Sequence, residues 1–180
     1  MAKRVTWIID GGYMHASSPG RFDYLKLKQL LEGPGDGRFV ESYFLDSKPP
    51  EPNEKQDAFI RWLKQASPSG PQFRVLHYPL KVQRIPCPAC GKEHERPVQK
   101  GVDVGIATLL IKLAAQDKYD RVLLSSGDGD LMDAVSYVKD DLKKEVYVAG
   151  FERSVSSDLQ SVANRCVWLN PHWDEFKKDA

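Results

Sequence analysis

The sequence is short of cysteine, of net charge and of long apolar runs. Three cysteines in 180 residues exclude the dense disulfide framework of small secreted domains. The longest greasy segment, "VGIATLLIKLAA", is broken by Lys112 and is too short to span a bilayer. At the amino end, "MAKRVTWIIDGG" offers only a five-residue apolar run before Asp10, too short for a signal-peptide core. A cytoplasmic protein with no membrane partner is the expectation. The formal net charge of +1 excludes a protein that is basic all over, so a nucleic-acid partner must be held by a local patch or a metal. No Gly-x-Gly-x-x-Gly and no Walker lysine loop occurs, which argues against a dinucleotide or nucleoside triphosphate enzyme. No histidine is placed beside Ser125 and Ser126, so a serine nucleophile is a poor reading. There is no internal repeat and no low-complexity tract.

What is present is an alternation of strand-like and helix-like segments. "RVTWIID", "FVESYFLD", "FRVLHYP", "YDRVLLSS", "EVYVAGF" and "CVWL" read as strands. "FDYLKLKQLLE", "DAFIRWLKQA", "GVDVGIATLLIKLAAQD", "LMDAVSYVKDD" and "SSDLQSVAN" carry helical spacing. Asp23, Asn53 and Ser156 or Ser157 are candidate N-caps. "GGYMHASSPGR" reads as a loop with at most a short helical turn, and residues 80–99 as an irregular insertion. The alternation predicts an α/β fold: a central, mostly parallel sheet of five to six strands with helices on both faces. Residues 1–170 form one domain, and 171–180 a surface tail.

The carboxyl ends of parallel strands collect functional groups. Asp10 ends the first strand, and Asp128 and Asp130 follow the fourth in "SSGDGD". Asp103 opens the long helix, whose amino end returns to the same edge. It shares a helical line with Ala107, Leu110 and Ala114, which predicts a carboxylate facing the protein. Singly, each aspartate reads as a cap or a turn residue. Together, the four repel one another at one edge, and a divalent cation offsets that repulsion. Oxygen donors suit Mg²⁺ or Mn²⁺, and such a site polarises a phosphoryl oxygen. Phosphodiester cleavage is the natural reaction class.

"VTWIIDGG", "KGVDVGIATLLIKLA" and "YDRVLLSSGDGDLMDAV" resemble the signature segments of the NYN domain family, a branch of the PIN-like nucleases. "VYVAGF" and "SSDLQSVANRCVWL" are similar to its carboxyl-terminal unit, so the resemblance covers most of residues 4–169. It implies a Rossmann-like PIN fold, a Mg²⁺ or Mn²⁺ cluster and ribonuclease activity on RNA, single-stranded or structured. Carried over by position, Asp10, Asp103, Asp128 and Asp130 match the family's acidic residues. The chain departs from the family at Tyr13, where Asn is frequent, and at Leu109 and Asn164, where Asp is frequent. A non-catalytic RNA-binding or regulatory module that keeps the fold is therefore the alternative reading, and a homo-oligomer is compatible with both.

The insertion carries Cys87, Cys90 and His94. A Cys-Pro-x-Cys-Gly turn aims two thiolates at one ion, so these are candidate ligands of a structural Zn²⁺, with His77 or another chain as the fourth. The alternative is a loop with two reduced thiols. Lys100 and Arg84 are candidate phosphate contacts. Tyr13, near Asp10, is a candidate for base stacking, and Ser126 for substrate contact.

Overall fold

"VTWIID" is apolar on both faces, which suits a strand covered on two sides. In the computed structural model of the chain it forms β1 (Val5–Asp10), buried at every position. The structure describes residues 3–33, 38–48, 53–98 and 101–178. The further strands are β2 (Phe39–Lys48), β3 (Arg74–Pro79), β4 (Lys81–Pro86), β5 (Glu93–Val98), β6 (Arg121–Ser125), β7 (Glu145–Gly150) and β8 (Arg165–Trp168). The helices are α1 (Gly11–Ser17), α2 (Tyr24–Leu31), α3 (Glu54–Lys64), α4 (Val102–Ala115), α5 (Met132–Asp140), α6 (Ser157–Val162) and α7 (Trp173–Phe176).

Six strands form one sheet in the order β3-β2-β1-β6-β7-β8, and every neighbouring pair is parallel. The alternation along β1 divides the core. Ile8 joins the residues of α4, α5 and α6 on one face. Trp7 and Ile9 join those of α2, α3 and α7 on the other. Trp7 is fully buried, and its indole N–H donates to Ser125 Oγ at 2.9 Å, so the ring enters the core without an orphaned donor.

Helix starts follow the caps read from the sequence. Asp23 accepts from the Leu25 and Lys26 amides, Asn53 from Gln56 and Ser156 from Leu159. Helices α4, α5 and α7 start without a side-chain cap bond, and α4 bears on the site. Its N-cap is Gly101, left-handed at φ 95°, with no side-chain cap bond. Asp103 therefore does no capping, which leaves its carboxylate available.

Three readings need correction. Residues 11–17 are a full helix rather than a loop, because Asp10 caps it by accepting from the Tyr13 amide. The glycines that suggested a loop sit in its first turn. Within the segment read as an irregular insertion, 80–99, residues 81–98 form an antiparallel hairpin in which β4 pairs with β5 and Ile85 stands opposite His94. Its prolines hid the strands, yet a two-stranded ribbon has free edges where proline is tolerated. The tail is not superficial: Phe176 is fully buried and packs edge-on to Phe22 and Trp173.

Candidate active site

Chain order reverses across the sheet between β1 and β6, since β1 leads outward to β2 on one side while β6, β7 and β8 follow on the other. A crevice opens at such a switch point, outside the carboxyl ends of the two strands. Asp10 is the last residue of β1, and Ser126 to Asp130 leave the end of β6.

Asp10 is only 6% exposed. Its Oδ1 accepts from the Tyr13 amide at 2.9 Å and its Oδ2 from Ser126 Oγ at 3.3 Å. Burial raises its carboxyl above the ordinary value; the Tyr13 bond opposes this, and Asp103 and Asp46 add to it. Ser126 is fully buried. Its Oγ also accepts from the Asp128 amide at 3.3 Å, so one hydroxyl ties the two strand ends together. That corrects its reading as a substrate contact: a residue with no exposed surface positions Asp10 and Asp128 instead. Asp128 is half-buried and caps the short 3₁₀ turn at Gly129–Leu131, accepting from the Asp130 amide at 3.0 Å. Asp130 is exposed.

Asp103 is also exposed, not turned inward as its helical line predicted. It occupies the first turn of α4, beyond the shelter of the sheet. Even so, desolvation raises its carboxyl, and Asp128 and Asp130 raise it further. The four carboxylates thus share one electrostatic neighbourhood, although no three His, Cys, Asp or Glu side chains among the described residues lie close enough to hold an ion directly.

Sequence reasoning missed Asp46. Asp10 pairs with Leu45 in the parallel register, so Asp46 stands one step beyond it on the neighbouring strand. Burial raises its carboxyl, which the Ser47 amide, His77 and His15 partly offset. The final Asp of "FVESYFLD" carried the same signal as Asp10, a carboxylate at a strand's carboxyl end.

The remaining candidates separate. Tyr13 is part-buried; its hydroxyl meets Ser154 Oγ at 2.6 Å and accepts from the Phe151 amide at 3.2 Å. It latches α1 to the segment after β7, which leaves the ring little freedom to stack on a base. Arg84 lies on the hairpin and faces Glu95 at 3.4 Å. Lys100 falls outside the described residues. Cys87 and Cys90 adjoin in the hairpin turn. Hydrogen bonds from the Ala89 and Cys90 amides and from the Cys90 thiol pull the Cys87 thiol below its ordinary value. His94 does not complete a three-donor group with them. His77 instead stands beside Asp46 in the main sheet.

Asp10, Asp46 and Asp103 have raised carboxyls, so the folded chain holds these protons more tightly than the unfolded chain. Their stabilising contribution is full below the unfolded value and is lost as pH rises through the folded ones. Without divalent cation, wild type is expected to lose melting temperature relative to Asp10→Asn as pH climbs from about 4 toward neutrality. Mn²⁺ at neutral pH should narrow the gap. Parallel melting curves across that range would show that Asp10 carries no such burden.

Two cavities lie at opposite edges of the sheet. One of about 150 Å³ is lined by Val5, Phe39 and Arg121, the first residues of their strands, and lies at the opposite edge from the carboxylates. A larger cleft of about 710 Å³ is lined by Gly11, the residue after Asp10, and by Asp46.

With the geometry in place, comparisons with known proteins narrow the reading. The family model described as NYN domain matches residues 4–170. A crystal structure of a protein of unknown function from Vibrio parahaemolyticus superposes with a TM-score of 0.65 at 25% identity, covering 93% of this chain and 94% of that one. No curated protein matches the chain significantly. No helix among the described residues is long and apolar enough to cross a membrane.

Proposed function

The chain belongs to the NYN domain family, a group of PIN-like nucleases, and from that premise we propose that it is a metal-dependent ribonuclease cutting phosphodiester bonds at the crevice between β1 and β6. The observation that carries this reading is Asp10, a buried carboxylate at a strand end with Asp103 and Asp46 in its field and Asp128 tied to it through Ser126. A fold does not keep mutually repelling carboxylates on one edge for stability.

The donor set fits Mg²⁺ or Mn²⁺. All donors are carboxylate oxygens, and such ions are held by one or two carboxylates while keeping several waters. That suits groups which share a field without closing to ligand distance. Asp10 and Asp128 would hold the ion directly, with Asp103 and Asp130 reaching it through water. When bound, the ion polarises a phosphoryl oxygen and lowers the pKa of the attacking water. The chain's own residues do the rest. The Tyr13 amide and Ser126 hydroxyl fix the Asp10 oxygens. Asp130, exposed at the mouth, takes up the proton of the attacking water at its carboxylate.

RNA is the proposed substrate, and the cytoplasm the proposed location. Zn²⁺ would belong to the hairpin rather than to the chemistry. Cys87 and Cys90 supply half of a tetrahedral set, so the remaining donors must come from outside the described residues.

The test is cleavage of a labelled RNA by the full chain. Cleavage is expected with Mn²⁺ or Mg²⁺, lost with EDTA and restored by excess Mn²⁺. Binding of RNA without cleavage under every Mn²⁺ condition would replace the nuclease with a non-catalytic RNA-binding module.

A further inference from the structure

The cleft beside Asp46 has a composition that metal binding does not explain. It runs between the segment joining α1 to α2, the end of β2 and the start of α3. Its volume of about 710 Å³ lies in the range of pockets that take a nucleotide-sized ligand. Phe22 and Phe59 stand along it with buried Phe44 and Tyr24 behind them, which makes an aromatic wall. Arg21 and Lys178, both exposed, lie on its rim. Asp46 is part of its lining. One Asp46 oxygen accepts from the Ser47 amide at 2.8 Å. No side-chain or backbone donor among the described residues reaches the other.

An aromatic wall, a carboxylate with a spare oxygen and a cationic rim match a nucleotide of a single strand. Bases stack on aromatic side chains whatever their identity. Cations on the rim meet phosphates without reading sequence. The carboxylate is the part that discriminates, because it only accepts hydrogen bonds. Among the four RNA bases, guanine alone presents two adjacent N–H donors, N1–H and the N2 amino group, on its Watson–Crick edge.

We propose that this cleft is a subsite for one unpaired guanine of the RNA strand, with Asp46 accepting from its N1–H and N2 amino group, Phe22 and Phe59 flanking the ring, and Arg21 and Lys178 meeting the neighbouring phosphates. The proposal rests on RNA being the ligand of the Asp10 crevice. Gly11 lines the cleft directly after Asp10, so a guanine held here sets which phosphodiester reaches the carboxylates.

The test separates binding from cleavage. The full chain is titrated in EDTA, by fluorescence anisotropy, with labelled single strands of about five nucleotides. The strands differ at one central position: guanosine, inosine or adenosine. The guanosine strand should bind about tenfold tighter than the adenosine strand, with inosine, which lacks the N2 amino group, between them. Asp46→Asn should erase that preference in a chain that still folds, its melting temperature at neutral pH no lower than that of wild type. Arg21→Gln should weaken all three strands alike and flatten the salt dependence. Equal affinity of wild type for guanosine and adenosine strands would overturn the proposal. So would a preference that survives Asp46→Asn, or an Asp46→Asn effect seen only with Mn²⁺, which would make Asp46 an ion ligand. A guanine preference in a chain that cuts nothing would sink the nuclease and leave the subsite standing. Cleavage without any preference would do the reverse.

Discussion

Asp10→Asn and Asp128→Asn are each expected to lower RNA cleavage in Mn²⁺ by about a thousandfold or more, since a bound ion contributes several kcal/mol of charge stabilisation in the transition state and each 1.36 kcal/mol is tenfold in rate. Both residues also cap helical turns, Asp10 that of α1 and Asp128 the 3₁₀ turn at Gly129–Leu131. The choice of Asn keeps that local role, because Asn is as good an N-cap as Asp. What the substitution removes is the charge. Melting temperature should therefore hold or rise, most at neutral pH, where Asp10 bears its desolvation. Asp10→Ala provides the contrast: it loses charge and cap together, and should cost about 1 kcal/mol of stability besides the activity. Full turnover by Asp128→Asn would remove these carboxylates from the chemistry, whatever the fold resembles.

Gly127→Ala should be the most damaging single methyl near the site. A Cβ at Gly127 would overlap the Ser154 carbonyl oxygen and stand 2.6 Å from Tyr13 Cε2. Neither neighbour can give way cheaply. The Ser154 carbonyl is backbone, in a segment tied back by the Ser156 amide to the Gly127 carbonyl at 2.9 Å. The Tyr13 ring is pinned through its hydroxyl to Ser154 and Phe151. Overpacking of this kind costs about 3 kcal/mol at the upper end of its usual range. In a chain of this size that is roughly 10 °C of melting temperature. The relief available is to swing the segment carrying Asp128 away from Asp10, so cleavage should fall with stability. A variant that melts like wild type and cleaves like wild type would show that the two loops are not locked together.

The acidic edge was legible because its logic is one-dimensional. A buried parallel strand is written as an apolar run, and the residue that ends it lies at the carboxyl edge of the sheet. That placed Asp10 and Asp128 correctly from "VTWIID" and "VLLSSGDGD". The long helix was equally plain: of the face read from its spacing, Val102, Ile106, Leu110 and Leu113 are buried, and Leu109 is half-buried. The α1 helix was missed because Gly, Ser and Pro dominate its surroundings, and only the Asp10 cap with buried Met14 draws residues 11–17 into a helix.

Strand order, however, is not written in any one segment. That β1 neighbours both β2 and β6 is a property of how the crossovers pack, and it decides that Asp10 and Asp128 leave adjacent strands at one edge. The same packing turned Tyr13 from a loop aromatic into a latch, buried Ser126 beneath the two acids, and carried Phe176 from the tail into the core. It also set Asp46 beside Asp10, through a parallel register that aligns residues far apart in the chain. The sequence by itself determined the chemistry available at the edge, because residue type and strand ends are local facts. Only the tertiary structure decided which groups share it, because neighbours across a parallel sheet are set by long-range pairing that no local pattern records.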